Sequence, residues 1–504
     1  MLPRSFRPNL GEGGSLRPSV IRRPPGSTLL QSIDMYTSVT PPVMSFLNRS
    51  SSLTSVVTRR SQLSGLEGSF SKPLISDASL EKEEVPTSTL PVRLSITSGS
   101  MSSSIYELPP PRLCSYSQAL LNAINGLCGI GILSTPYAVK EGGWLSLLLL
   151  LIFGVITCYT GILLKRCLES SPGLQTYPDI GQAAFGMVGR ICIAVVLYME
   201  LYSSCVEFLI MMSDNLSSMF PNAQVEFAGV HLDSYQICAI ISTLVILPTV
   251  WLRNLSLLSY VSVGGVIMLV VVVFCMLWVG VVNVGFHMGG TVFNFAKLPA
   301  TIGLYSFCYG SHSVFPNIYS SMEEPSRFPS ILLISFSIAC ALYIAVGICG
   351  FLMFGKLTET QFTLNMPTKY AASGVAGWTV VVTPLTKYAL TLTPIAFGLE
   401  ELLPSALVGS YGMSILIRTI LVGSTLTIAL TVPYFGSLMA LIGSLLVMLV
   451  SLIFPCACYI KIGSRNLKRS QIGVCITIVL VGLWCAIVGT YSAINNVAQQ
   501  LGKL

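Results

Sequence analysis

Asn125-Gly126-Leu127-Cys128-Gly129-Ile130-Gly131 interrupts the first long apolar run of the chain, which extends from Ser115 to Val139. A run of that length can cross the ~30 Å hydrocarbon core of a bilayer as one helix. Each interior glycine costs roughly 1 kcal/mol relative to alanine, and an unpaired backbone group in hydrocarbon costs several kcal/mol more. The break is therefore expected to line a polar cavity or to be buried in protein, as in carriers that hold small solutes on discontinuous helices.

Ten more apolar runs follow, giving eleven expected spans at 115–139, 143–165, 190–212, 235–252, 257–282, 297–321, 330–354, 377–401, 413–432, 436–460 and 471–494. The bulk composition agrees: 504 residues are 53% hydrophobic and 10% charged, against about 25% charged in soluble proteins. The reading is an all-α polytopic membrane protein. The formal charge of +7 is spread over the first hundred residues and the loops rather than gathered into an aromatic-laced patch, so no nucleic-acid partner is expected. Most of the fifteen cysteines lie inside apolar runs, where free cysteine packs as a small hydrophobe. Cys456-Ala457-Cys458 lacks zinc-site spacing, so no metal is expected.

Residues 1–111 are rich in Ser, Pro, Arg and Gly, without apolar periodicity, and read as a disordered cytosolic tail. Thr58-Arg59-Arg60-Ser61 resembles a site for a basophilic kinase, and Glu81-Lys82-Glu83-Glu84 adds an acidic stretch; Ser-rich tails produce such matches by chance. With that tail inside, Lys165, Arg166, Arg190, Arg253, Arg327, Lys461, Arg465, Lys468 and Arg469 fall at cytosolic ends of spans. Opposite-side loops carry only Lys140, Lys297, Lys356 and Lys369, so the N-terminus reads as cytosolic and the C-terminus as luminal or external. The sequon Asn215-Leu216-Ser217 then faces away from the cytosol, too close to the third span for glycosylation.

The membrane region divides into 112–282 and 283–460, five spans each, followed by a basic loop and an eleventh helix at 461–504. The second half also opens on an interrupted span, Ser306-Phe307-Cys308-Tyr309-Gly310-Ser311-His312-Ser313-Val314-Phe315-Pro316. An odd number of spans per half places the halves in opposite orientations, the inverted-repeat pattern of many secondary transporters.

Enzyme motifs fail. Gly350 to Lys356 has phosphate-loop spacing, but Leu357 replaces the required hydroxyl, and Gly129-x-Gly131-x-x-Ser134 lacks a strand before it. No enzyme chemistry and no cofactor are expected. The breaks do carry chemistry, because a helix that stops near Asn125 and restarts near Gly129 presents free carbonyls at one end and free amides at the other. An amino acid zwitterion is complementary. Its carboxylate suits the amides of Gly129, Ile130 and Gly131, and its ammonium suits the carbonyls around Ala123, Ile124, Asn125 and Gly126 and, from the second break, Phe307, Cys308 and Tyr309. Singly, such glycines only allow close helix packing; two breaks at matching positions favour a substrate site.

Glu200, Glu207 and Asp214 recur every seven residues on roughly one face of the third span. A carboxylate at mid-membrane depth faces the bundle interior, either paired with a cation such as Lys387 or free to exchange a proton. Asp214, near the interface, reads as solvated. His312 in the second break is a candidate gate or proton relay, or a satisfied structural histidine. Thr386-Lys387 and Thr391-x-Thr393-Pro394 place hydroxyls and one amine at mid-membrane depth in the eighth span. An amine there can stand where sodium-coupled carriers of this architecture hold a cation.

At these residues the chain resembles the amino acid/auxin permease family, and within it the vacuolar amino acid transporter branch of plants and fungi. The resemblance covers nearly all of 113–495. It rests on Asn122-Ala123-Ile124-Asn125-Gly126 through Ser134-Thr135-Pro136-Tyr137, Thr176-Tyr177-Pro178-Asp179-Ile180-Gly181, Glu200-Leu201-Tyr202, Phe315-Pro316-Asn317-Ile318-Tyr319 and Thr386-Lys387-Tyr388-Ala389-Leu390. It implies eleven spans, a five-plus-five inverted core like that of the bacterial leucine transporter, and alternating access. It also implies proton-coupled movement of amino acids, commonly neutral ones, across the vacuolar membrane, and it is to the loading, proton-exchanging type. Export from the vacuole, a sodium-coupled or plasma-membrane carrier, and an amino-acid-sensing receptor signalling through the tail are the alternatives. The sequence carries no sign of oligomeric state.

Overall fold

A computed structural model describes residues 114–502 apart from 172, 228–229, 252–254, 288, 401–402, 404–409 and 465–466. The tail at 1–111, with its expected disorder, kinase site and acidic stretch, lies outside the described residues, as do Arg253 and Arg465.

The first apolar run folds as two helices, α1 (Tyr116–Leu127) and α2 (Gly131–Gly142), bent by 44° at the glycine break. A capping box starts α1: the Gln118 amide donates to the Ser115 hydroxyl, and the Gln118 side chain accepts from the Ser115 amide. Then come α3 (Ser146–Leu168), α4 (Tyr177–Met219), a short antiparallel hairpin of β1 (Val225–Phe227) and β2 (Val230–Leu232), α5 (Ser234–Trp251) and α6 (Leu255–Val279). The sixth run is again split, into α7 (Leu298–Cys308) and α8 (Phe315–Ser321). The remainder is α9 (Phe328–Phe354), the short α10 (Phe362–Asn365), α11 (Ala371–Glu400), α12 (Tyr411–Thr431), α13 (Phe435–Ile442), α14 (Phe454–Gly463) and α15 (Arg469–Leu501).

Among the described residues, nine helices are long and apolar enough to cross a membrane, and the bent pair of α1 and α2 makes a tenth. The split pair of α7 and α8 occupies the one expected span that remains. The chain is thus an all-α polytopic protein, with large apolar side chains such as Val155, Leu244, Phe274 and Ile487 exposed on its outside. In water such a surface would aggregate; in hydrocarbon it is the solvent-matched face.

Two helices depart from the expected spans for physical reasons. The third span was expected over 190–212, yet α4 covers 43 residues, because Gly186, at φ 69°, kinks it between a short first segment capped by Thr176 and Asp179 and the long crossing segment. The tenth span passes through π-helical turns at Gly443–Val447 and Leu449–Ile453. Carbonyls inside those turns are reached by side chains of other helices: Ser306 donates to Gly443 O at 2.6 Å and Tyr177 to Val450 O at 2.6 Å.

The two broken spans run antiparallel. Cys114, just before α1, exchanges main-chain bonds with the end of α8, to Ser321 O at 2.7 Å and from Glu323 N at 2.9 Å. At the other end, Asn294 N donates to Gly142 O at 3.1 Å, and Gly142 abuts Thr301 at the start of α7. The sixth span is also pressed onto the tenth, where Gly303 and Gly443 bring the backbones of α7 and the first π turn into direct contact. A Cβ on Gly303 would fall on the carbonyl of Ala440. Overpacking by a larger side chain typically costs about 1–3 kcal/mol, and here backbone is the obstacle. Gly303→Leu is therefore expected to lower the thermal midpoint and the monodisperse yield of purified protein sharply. Gly423→Leu, where a Cβ meets nothing within 4 Å, should leave both near wild type; equal behaviour of the two variants would contradict this packing.

Candidate functional site

The two breaks meet. A Cβ on Gly131 would lie 3.1 Å from Cys308 Cα, and the Cys308 thiol points at Gly131 O at 3.7 Å. Between the breaks sits the hydroxyl of Tyr343, from α9, whose single proton lies within hydrogen-bond reach of both Leu127 O and Cys308 O, the latter at 2.8 Å. One phenol thus reaches the carbonyl end of both unwound segments. Tyr343 is fully buried, and its ring packs edge-on against Tyr309 at 5.7 Å.

Against this junction lies a cavity of about 220 Å3. Of the expected substrate residues, Asn125, Gly126, Gly129, Ile130, Gly131 and Phe307 line it, as do Glu200 from α4 and Lys387 from α11. Leu201, Phe208, Leu390 and Val447 supply apolar wall, and Ser204 and Thr391 supply hydroxyls. The cavity is smaller than the roughly 300–1,000 Å3 of drug-sized pockets, which suits a small solute.

The free backbone groups are fewer than expected. The amide of Gly129 is taken by Leu127 O at 2.9 Å, which leaves Ile130 and Gly131, at the entry of α2, as the lining amides with no intrahelical acceptor. On the carbonyl side, Ile124 O already accepts from Cys128 N at 2.7 Å and Phe307 O from Gly310 N at 3.1 Å. Tight local turns compete with the ligand for these groups, although each carbonyl keeps a second lone pair.

Several expected residues lie behind the lining rather than on it. Ala123, Ile124 and Cys308 are packed under the break, and Tyr309 stacks on Phe336 at 5.9 Å with its hydroxyl against Gly154. His312 is fully buried, with Nε2 3.0 Å from both Thr160 Oγ1 and Thr157 O, so it fastens the second break to α3. The Thr386 hydroxyl donates to Thr383 O at 2.7 Å within its own helix. Glu207 is fully buried, and neither of its carboxyl oxygens has a hydrogen-bond partner among the described residues.

Glu200 and Lys387 share the cavity without forming an ion pair. Oε2 of Glu200 has no hydrogen-bond partner among the described residues, and the end of the Lys387 chain and Asn125 Oδ1 both lie close to α6. Both approach the place where α6 carries Gly265: a Cβ there would be 3.3 Å from Lys387 Cε and 3.4 Å from Asn125 Oδ1. Further along α4, Asp214 is tied rather than solvated, accepting from Gln361 Nε2 at 2.8 Å. Gln361 in turn accepts from Asn215 at 2.7 Å, and Thr363 donates to Asn215 Oδ1 at 2.7 Å. Ser134 and Lys140 of α2 donate to Thr360 O and Thr358 O, so the segment before α10 covers the ends of α2 and α4. The sequon amide of Asn215 is buried in this network.

Some of the missed residues had a readable signal. Ser204 and Phe208 follow Glu200 at helical spacing, and Leu390 follows Lys387 in the same way, so one charged residue in the cavity implied its neighbours. Tyr343 and Val447 had none. Among the described residues no group of three or more His, Cys, Asp or Glu side chains could hold a metal ion, and all fifteen cysteines are free.

A polytopic helical bundle with two antiparallel broken spans around a small central cavity defines a membrane transporter. Residues 113–495 match the family model described as transmembrane amino acid transporter protein, and the chain belongs to that family. It is similar to Amino acid transporter AVT1D of Arabidopsis thaliana, 55% identical over 94% of this chain and 86% of that protein. Amino acid transporter AVT1E of the same plant is 54% identical over 94% of this chain and 90% of that protein. A more distant relative is the vesicular GABA transporter of Caenorhabditis elegans, 28% identical over 74% of this chain and 78% of that protein. The chain is accordingly an amino acid transporter rather than an enzyme.

Proposed function

We propose that this transporter loads the vacuole with mainly neutral amino acids in exchange for protons, working by alternating access around the cavity between the breaks. The observation that carries this reading is the meeting of two antiparallel broken spans at a cavity holding one carboxyl and one amine, Glu200 and Lys387. The antiparallel contact of α1–α2 with α7–α8 supports the division into inverted halves at 112–282 and 283–460. The substrate carboxylate sits at the entry of α2, on Ile130 and Gly131 with Asn125 and Lys387 nearby, and its ammonium faces Gly126 and Phe307. Leu201, Phe208, Leu390 and Val447 receive the side chain, which favours uncharged substrates. Ala123, Ile124, Cys308, Tyr309 and His312 shape the breaks from behind, and Thr386 braces the helix that carries Lys387.

Glu200 is the coupling group. Glu207 and Asp214 continue from it toward the luminal end of α4, about 10 Å apart along a helix that rises 1.5 Å per residue, as a route by which luminal protons reach the cavity. Each unit of pH difference supplies about 1.4 kcal/mol per proton, and about 100 mV adds roughly 2.3 kcal/mol per charge. The organelle assignment rests on the sequence resemblance and on the nematode relative being named vesicular; the cytosolic N-terminus rests on the distribution of Lys and Arg.

The test is uptake of a panel of labelled amino acids into vesicles that carry the purified protein and are acid inside. Neutral amino acids should accumulate, collapse of the pH gradient should abolish accumulation, and replacing sodium by choline should change nothing. Uptake that survives gradient collapse but needs sodium, or saturable binding without net flux, would contradict the proposal.

A further inference from the structure

A second cavity, of about 580 Å3, opens where the end of α3, the start of α4 and the end of α14 come together. These are the ends that the Lys and Arg distribution assigns to the cytosol, so the cavity lies at the cytosolic membrane surface. Its polar lining comes from Arg166, Ser170, Ser171, Tyr459 and Lys461. The cations at these helix ends are not equivalent. Lys165 lies 2.8 Å from Glu169 and Arg190 lies 3.2 Å from Asp179, so both are neutralised by carboxylates. Arg166 and Lys461, the two that line the cavity, have no carboxylate partner among the described residues. Arg166 is also held in place: Nη1 donates to Tyr459 Oη at 3.2 Å, and the guanidinium lies 5.9 Å from the centre of that ring. Its remaining N–H groups stay available.

We infer that this cavity binds a phosphate group at the cytosolic membrane surface, carried by a lipid headgroup or free in solution. A planar guanidinium provides a fork of donors, an ammonium provides a point charge, and the hydroxyls of Ser171 and Tyr459 add donors, whereas that of Ser170 is committed to Cys167 O at 2.6 Å. Basic pockets between membrane helices on the cytosolic side suit such groups, because exposed Lys and Arg there are drawn to the anionic headgroups of that leaflet. Carboxylate neutralisation of Lys165 and Arg190, but not of Arg166 and Lys461, is what distinguishes a site from a generally basic surface. Tyr459 is a positioning residue that sets the direction of the guanidinium. The inference uses the membrane orientation of the proposed function, not its substrate.

The test uses the full-length protein in phosphatidylcholine nanodiscs, titrated separately with short-chain phosphatidylinositol phosphate and with inorganic phosphate, with binding read by native mass spectrometry. The double variant Arg166→Gln, Lys461→Gln should bind about 30-fold more weakly than wild type. Lys468→Gln with Arg469→Gln removes the same charge from the start of α15, outside the cavity, and should weaken binding far less. A thermal midpoint equal to wild type shows that both double variants are folded, and because neither readout involves transport, failure of the transport reading leaves this result standing. If inorganic phosphate displaces the lipid, the site takes free phosphate; if it does not, the lipid headgroup is the ligand. Either result keeps the site. Equal weakening by both double variants would reduce it to diffuse surface charge. Binding at these residues of a phosphorylated peptide from the tail, with no response to lipid or phosphate, would also overturn it.

Discussion

Glu200→Gln should abolish pH-driven accumulation while leaving much of the gradient-independent exchange of labelled for unlabelled amino acid. Glutamine keeps the shape and hydrogen-bonding reach of the side chain at the cavity wall, so the solute site is altered little. It cannot release or accept a proton in this range, so the coupled step is lost. Since each pH unit sustains about a tenfold concentration ratio per proton, the deficit should grow by about tenfold for every unit of imposed gradient. Parallel measurements of gradient-driven uptake and of exchange in the same vesicles check this. An equal fractional loss in both would make Glu200 a structural or substrate-binding group and would move the coupling role elsewhere, with Glu207 the next group along α4.

Tyr343→Phe should raise the substrate concentration needed for half-maximal transport by about 10- to 100-fold, with a smaller effect on maximal rate. The hydroxyl lies within hydrogen-bond reach of carbonyls at the ends of both broken helices, its one proton serving either, and a buried acceptor left without its donor costs about 1–3 kcal/mol. The phenylalanine ring still fills the space against Tyr309, so the loss falls on the relative placement of the two breaks rather than on packing. Transport kinetics and the thermal midpoint should be measured together. A lowered midpoint with unchanged substrate dependence would show that the hydroxyl only stabilises the fold.

Much of the fold was legible because the bilayer imposes a length and a polarity that a linear sequence displays directly. Helix limits such as Ser234–Trp251 and Tyr411–Thr431 fall within two residues of the expected 235–252 and 413–432. The third span was underestimated because Tyr177–Phe185 and the stretch after Met212 are helical without being uniformly apolar, and hydropathy registers only the apolar part. Of the site, the glycine break and Glu200 were legible because each is expensive in hydrocarbon unless it lines a cavity. Tyr309 and His312 were less so. In an unwound segment no period of 3.6 or 2 governs which way a side chain points, and both turn into the bundle against α3 and α9 instead of into the cavity.

By itself, then, the sequence determined that the chain crosses a membrane many times, that its first and sixth spans are broken, and that an acidic stripe runs along its third. These are local consequences of transfer energies, and each is written in a contiguous stretch of residues. Only the tertiary structure decided that the two breaks touch at Gly131 and Cys308, that Tyr343 joins them, and that Glu200 and Lys387 share one cavity unpaired. Those facts join residues up to about two hundred positions apart, through helix crossings set by close contacts such as Gly303 on Ala440. Such a contact depends on both surfaces at once, so neither stretch of sequence announces it alone.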